Sequence, residues 1–268
     1  MSLDSKLVNL SNSICIDGVC VSLLETIRKY YGLTFKSMST RSGLPLYVYR
    51  VGKVHGTCLI LFIDESGGLI CEYMGYDNVF LVVNWFKDGN LHGRKVSIVS
   101  SKGNIIGEGE LLRVNSKCYV VRVGKHIDIS EYETYYVSQA TITTINSKIV
   151  GKAVSTRIPL YITLNLLQED NLNIEYLILL AKSKTVPYNT SMIVKELKHL
   201  KNLGNIKTLI IVKPTTITLK TYTEKLYING IKVKVLHYPC KSGYYCEEVE
   251  LSVVDKLLKQ LQVETRNT

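Results

Sequence analysis

The chain is poor in proline, tryptophan and phenylalanine, with five, one and four among 268 residues. So few prolines beside 46% apolar residues exclude a disordered or proline-rich protein and imply a packed core. No apolar run approaches the ~18 residues that a membrane-spanning helix needs. The opening Met1-Ser2-Leu3-Asp4-Ser5-Lys6 lacks the charged-then-apolar build of a secretory leader, so the expected compartment is the cytoplasm. There is no G-x-G-x-x-G, Walker loop, G-x-S-x-G or H-E-x-x-H, which removes the motif-based case for dinucleotide binding, nucleotide hydrolysis and common hydrolases. Internal repeats and low-complexity tracts are also missing.

Acidic residues are scarce in one segment. Residues 181–234 hold eleven lysines against Glu196 and Glu224, which puts +9 of the chain's net +10 there. Solvated lysine faces of thermophile type normally interleave glutamate at i,i+4 spacing, and these do not. Unpaired like charge points to a polyanion, most directly DNA or RNA. The expected phosphate contacts are Lys182, Lys184, Lys195, Lys198, Lys201, Lys207 and Lys213. Arginine is absent between residues 158 and 265, so bidentate base readout is not expected; binding should be phosphate-dominated and weakly sequence-specific.

Tyrosine is the abundant aromatic, at eighteen, which suits half-exposed sheet faces or, alternatively, base stacking. Seven cysteines include two local pairs, Cys15–Cys20 and Cys240–Cys246. Each pair admits a disulfide, which in a cytoplasmic protein implies a hyperthermophile source; the four together admit a zinc site, and ordinary thiols are the third reading. No cofactor and no metal site is expected.

Patterning divides the chain. Residues 20–31 read as an amphipathic helix stopped by Gly32. From about 33 to 147, β-branched and tyrosine-rich runs alternate with Gly- and Asn-containing turns, which predicts a meander, small barrel or sandwich. After residue 150, Leu160–Leu167 and Ile174–Lys182 read as two strands. A helix follows from an N-cap at Asn189 or Thr190, then a buried strand at Lys207–Lys213. Residues 216–229 are read as a helix, Ile231–Tyr238 as a strand and 248–262 as an amphipathic helix. The fold class is therefore α+β, with a β-rich domain over 1–150 and an α/β sandwich domain over 151–268. The broad apolar face of the last helix leaves homodimer and monomer both open.

The element order from 160 onward, with Asn165 on the first strand, Leu180-Ala181-Lys182 ending the second and the Gly230-Ile231 turn, resembles the restriction-endonuclease-like PD-(D/E)xK nucleases. That resemblance implies a nuclease-like domain, inactive because Leu180 and Asn165 stand where metal-binding carboxylates belong. Lys36, Gly43, Tyr47, Tyr49, Arg50 and His55, with Arg94-Lys95, faintly resemble the Tyr, His and Lys of tRNA-splicing endonuclease subunits. The expected function is nucleic-acid binding without catalysis; the alternatives are an active nuclease or a structural subunit of a larger complex.

Overall fold

The computed structural model describes residues 3–65, 67–76, 78–84, 91–115, 118–125, 127, 133–181, 189–200, 203, 206–216, 220–242 and 247–266. Helices α1 (Ser5–Asn12) and α2 (Val21–Tyr31) lead in, joined by the Cys15–Cys20 disulfide loop. Asp4 caps α1, and Gly32, in the left-handed region at φ 70°, stops α2 as its position predicts. Strands β1 (Lys36–Ser39), β2 (Pro45–Arg50) and β3 (Thr57–Phe62) follow.

The chain then leaves this sheet to build a closed barrel. Its strands are β4 (Gly67–Tyr73), β5 (Val79–Asn84), β6 (Arg94–Ser100), β7 (Ile105–Arg113), β8 (Tyr119–Val123) and β9 (Thr134–Ser138), ordered β4-β5-β8-β7-β6-β9. Phe80, Val82, Val96, Ile98, Leu111, Val121 and Tyr136 fill the interior, so the barrel is a packed core and not a pore. The predicted runs match β4 through β8. The closing strand β9 is missing from them, because Glu131 and Glu133 sit beside its short apolar run. Entry to the barrel depends on Gly67 and Gly68: a Cβ on either would lie within 2.1 and 2.3 Å of the Tyr136 and Val83 carbonyl oxygens, respectively.

Strands β10 (Thr143–Ile145) and β11 (Lys148–Gly151) return the chain to α3 (Val154–Gln168), β12 (Tyr176–Leu180), α4 (Thr190–Lys198), β13 (Thr208–Thr215), β14 (Tyr222–Ile228) and β15 (Ile231–Pro239). The short β16 (Lys241–Ser242) and β17 (Glu247–Glu250) precede the final helix α5 (Leu251–Arg266). The main sheet has seven strands in the order β1-β2-β12-β3-β13-β15-β14; β12, β3, β13 and β15 are mutually parallel. It takes β1–β3 from before residue 150 and β12–β15 from after it, so this sheet spans the boundary expected there.

Parallel strands covered on both faces read as continuous apolar runs. Leu59, Leu61, Leu177, Leu179, Ile210 and Val212 face a core shared with residues of α1, α2, α3 and α5. Cys58, Ile60, Ile178, Leu180, Leu209 and Ile211 face the opposite core, under Ile193, Val194 and Leu197 of α4. Asn189 caps α4 by accepting from the Met192 amide, as expected.

Two expected elements are corrected. Leu160–Leu167 is not a strand but the body of α3. Ten of its residues, including Arg157, Ile158, Leu160, Ile162, Leu164 and Leu166, are buried around most of its circumference, so no broad polar face marks it. Pro159 removes one backbone donor inside this helix, and the carbonyl four residues earlier, that of Ser155, accepts from the Tyr238 hydroxyl instead. Residues 222–228 are likewise strand β14, the first arm of a hairpin. Asn229 and Gly230 have φ of 50° and 81°, the signature of a two-residue hairpin turn and not of a helix stop.

Helix α5 forms as predicted, but its stripe is not left over for a partner. Val253, Leu257 and Leu261 are buried in the chain's own core, which removes the argument for a homodimer through this helix.

The α5 contact also buries charge. Lys234 on β15 lies 3.0 Å from the Glu264 carboxylate and donates to the Glu264 carbonyl as well. Burial pushes the Glu264 carboxyl up, but hydrogen bonds from Lys234, Thr223 and Gln260 with the ammonium charge outweigh it, so its pKa lies below the ordinary value. A depressed carboxyl stabilises the fold above the unfolded value of about 4.3 and loses that contribution as pH falls through the folded value. Lys234→Ala should therefore cost about 3–5 kcal/mol at neutral pH. Urea denaturation from about pH 6 downward should show the variant losing less further stability in acid than wild type.

Candidate functional site

In an open α/β sheet, ligands bind beyond the carboxyl ends of the strands, where successive connections leave in opposite directions. Here the chain passes from β3 to β12 on one side and then back across β3 to β13 on the other. The switch point thus lies at the carboxyl end of β3, where Ile63, Asp64 and Glu65 follow the strand, all buried.

Glu65 is held from three directions. One carboxylate oxygen accepts from the Cys15 amide at 2.8 Å, the other lies 3.2 Å from the Lys152 ammonium, and the Arg157 guanidinium stands 4.0 Å away. Arg157 is fully buried in the first turns of α3. It donates to the carbonyls of Leu10 (2.9 Å), Ser13 (3.2 Å) and Ile63, and to the Thr156 hydroxyl (3.2 Å). Burial lowers the pKa of Arg157, opposed by the charges of Glu65, Asp64 and Glu247; a guanidinium stays protonated regardless. Ala153, left-handed at φ 53°, turns the chain so that Lys152 and Arg157 reach one carboxylate.

Around this cluster the other groups are committed. The Glu247 carboxylate accepts from the Ser155 amide at 2.6 Å, an acid at the exposed amides of a helix start. The Tyr47 hydroxyl donates to the Gly18 carbonyl at 2.7 Å, and burial followed by the charge of Asp64 raises its pKa, so it is no base at neutral pH. Burial, with Cys240 and Glu247 nearby, likewise keeps the Tyr238 phenol protonated. Among the described residues, the one group of three or more His, Cys, Asp or Glu whose ligand atoms converge within 4.8 Å is Cys15, Cys20 and Asp64, and its two sulfurs are bonded to each other.

Of the seven expected lysine contacts, four lie among the described residues. Lys182, Lys184 and Lys201 lie outside the described residues. Lys195 and Lys198 are exposed on α4, where Lys198 donates to the Asn229 carbonyl at 3.0 Å. Lys207 precedes β13 and Lys213 lies near its other end, six residues or about 20 Å along an extended strand. The nuclease-like pair fails too: Asn165 is on helix α3, and Leu180 is buried within the sheet. In the second nuclease resemblance, His55 sits before β3, 3.4 Å from Glu175, Tyr47 lies toward the sheet's opposite edge, and Arg94 and Lys95 belong to the barrel. Cys240 is buried, and Cys246 lies outside the described residues.

Solved structures share this architecture along nearly the whole chain. An aminopeptidase from the archaeon Desulfurococcus kamchatkensis is 11% identical, with a TM-score of 0.70 over 98% of this chain and 94% of that one. The chain has the aminopeptidase fold. The TET1 peptidase of Pyrococcus horikoshii is 15% identical, with a TM-score of 0.66 over 97% and 98% of the two chains. An endoglucanase from Thermotoga maritima gives 14%, 0.68, and coverage of 97% and 96%. No protein-family model and no curated protein sequence matches the chain. The restriction-endonuclease resemblance is thereby overturned, and with it the nucleic-acid-binding and nuclease readings: many of the structural neighbours are peptidases.

The sequence carried a signal for the cluster that lysine counting passed over. Asp64-Glu65 directly follows the apolar run Cys58–Ile63, and Arg157 is a lone charge in the apolar stretch from Val154 to Leu164. Carboxylates at the end of a buried strand and a cation inside an apolar helix must be paired or stay unburied. Arg157→Met should leave Glu65 short of a partner and cost about 3–5 kcal/mol, which calorimetry should read as a fall in Tm of about 10 °C. The exposed Lys195→Glu should change stability by no more than about 0.5 kcal/mol.

Proposed function

We propose that this protein is a non-hydrolytic member of the aminopeptidase-fold proteins that works as a self-assembling subunit. The observation that carries the reading is the chemistry of the sheet's carboxyl edge. The segments that follow β12 and β13 in the sequence, 182–188 and 216–221, contain no carboxylate, imidazole or thiol. Glu65 and Glu247, two of the acids from neighbouring elements, are tied to Lys152, Arg157 and the α3 amides. Peptide hydrolysis needs a group that activates water and another that stabilises the developing oxyanion, both within reach of one carbonyl. Neither Glu65 nor Glu247 is free to serve as the first of these groups.

Assembly is supported by the company the fold keeps. The Pyrococcus horikoshii TET1 peptidase assembles into a tetrahedron or a large octahedral shell. A second reading, hydrolysis by this chain itself, is favoured by one feature: Asp64, a buried carboxylate at the switch point beside the Tyr47 hydroxyl.

Light scattering on the full chain, paired with aminoacyl-p-nitroanilide and short-peptide assays with added zinc, cobalt or manganese, with and without reductant, separates the two. The first reading expects a homo-oligomer and no turnover above a metal-only blank. Turnover that disappears in Asp64→Asn establishes the second, and a monomer without turnover rejects the first.

A further inference from the structure

The Cys15–Cys20 loop sits where three parts of the molecule meet. Ile14 and Ile16 pack with Val99, Tyr135 and Val137 of the barrel, while Cys15 and Cys20 belong to the core beneath the main sheet. An Ile16–Val19 bridge closes the loop, and the Glu65 amide donates to the Cys15 carbonyl at 2.9 Å. The loop is therefore held against the carboxyl end of β3 by backbone contacts that do not involve its sulfurs.

Asp64 is aimed at those sulfurs. One ligand atom from each of Cys15, Cys20 and Asp64 lies within 4.8 Å of the other two, all three residues are buried, and Cys15 Sγ stands 4.0 Å from Asp64 Oδ1. A neutral disulfide offers a carboxylate neither charge nor a proton. Two thiolates and a carboxylate, by contrast, are a donor set for a soft divalent cation. With Zn–S near 2.3 Å and Zn–O near 2.0–2.2 Å, the edges of a tetrahedral site are about 3.5–3.8 Å. The present sulfur–carboxylate separation is close to that, so side-chain rotation that parts the sulfurs completes one face of the tetrahedron.

We propose that Cys15, Cys20 and Asp64 form a redox-gated site for a thiophilic divalent cation of the zinc class. In the oxidised chain the two sulfurs are bonded and bind no ion. A dithiol reductant transfers two electrons and two protons to the Cys15–Cys20 bond, becoming a disulfide itself and leaving two thiols. The cation then displaces both thiol protons to solvent and is held by two thiolates and the Asp64 carboxylate, with water in the remaining position. For a zinc-class ion this assembly carries a single negative charge, which faces the Arg157 guanidinium already in the electrostatic field of Asp64. Because the loop joins the barrel to the sheet, the exchange replaces one cross-link at that joint by another. The site goes beyond the assembly role proposed above and does not depend on it.

The test uses the full-length chain, reduced with excess phosphine or left oxidised, with Co²⁺ as the optical probe and Zn²⁺ as competitor. The reduced protein should take up one Co²⁺ with tetrahedral visible bands and a thiolate-to-cobalt charge-transfer band, which Zn²⁺ abolishes; the oxidised protein should show neither. Asp64→Asn should weaken binding by more than about tenfold, the lower end of what losing even an outer partner of a metal site costs. Cys20→Ser should remove the charge-transfer band although the other cysteines remain. A reduced wild type without that band, or a band undiminished in both variants, overturns the proposal. Should Cys20→Ser fail to fold, the wild-type redox comparison and Asp64→Asn decide the matter.

Discussion

A buried guanidinium organises this molecule. Arg157 enters the interior in the first turns of α3 and is satisfied by the lead-in (Leu10, Ser13), the end of β3 (Ile63) and the carboxylate of Glu65. These partners come from two stretches of chain far from α3 in sequence, so neither stretch can shift without leaving a charge or carbonyl unpaired in a medium of low dielectric. Lys152 closes the same cluster from the residues just before α3. The barrel enters immediately after Glu65, through two glycines that no other residue could replace without meeting backbone oxygen. The placement of the lead-in, the sheet, α3 and the barrel is thus referred to one charge cluster.

Much of the strand content was legible because it follows local rules. The strands from β2 to β8 announced themselves by turn residues between β-branched runs, and α2, α4 and α5 by caps and stripes. The failures have a common cause. Helix α3 is buried over most of its surface, with Tyr161, Asn165 and Gln168 in a narrow, partly exposed row, so its Leu-Tyr-Ile-Thr-Leu alternation imitates a strand. After β14, Asn229-Gly230, a pair that equally suits a helix end, makes a two-residue hairpin turn. In both cases tertiary surroundings overrode the local pattern.

The candidate site was less legible still, because the conspicuous signal and the informative one were different residues. Eleven lysines against two acids describe a composition, but the sheet places Lys207 and Lys213 toward opposite ends of one strand. The informative residues were four charges, Asp64, Glu65, Lys152 and Arg157, each set in or beside an apolar run. Their convergence depends on pairing over sequence separations of about ninety residues, which no single-sequence periodicity reveals.

The aminopeptidase fold usually invites the expectation of an open site at the sheet's carboxyl edge, since that is where such sheets bind ligands. Here the carboxyl end of β3, at that edge, is closed by the Glu65–Lys152–Arg157 cluster and the Cys15–Cys20 loop held against it. Amide hydrogen exchange followed by mass spectrometry tests this closure most directly. The account predicts that peptides covering residues 57–65 and 152–160 exchange only through global unfolding, as slowly as the central strand β13. Exchange in those peptides as fast as in the edge strand β14 would show an open, fluctuating cleft and would contradict it.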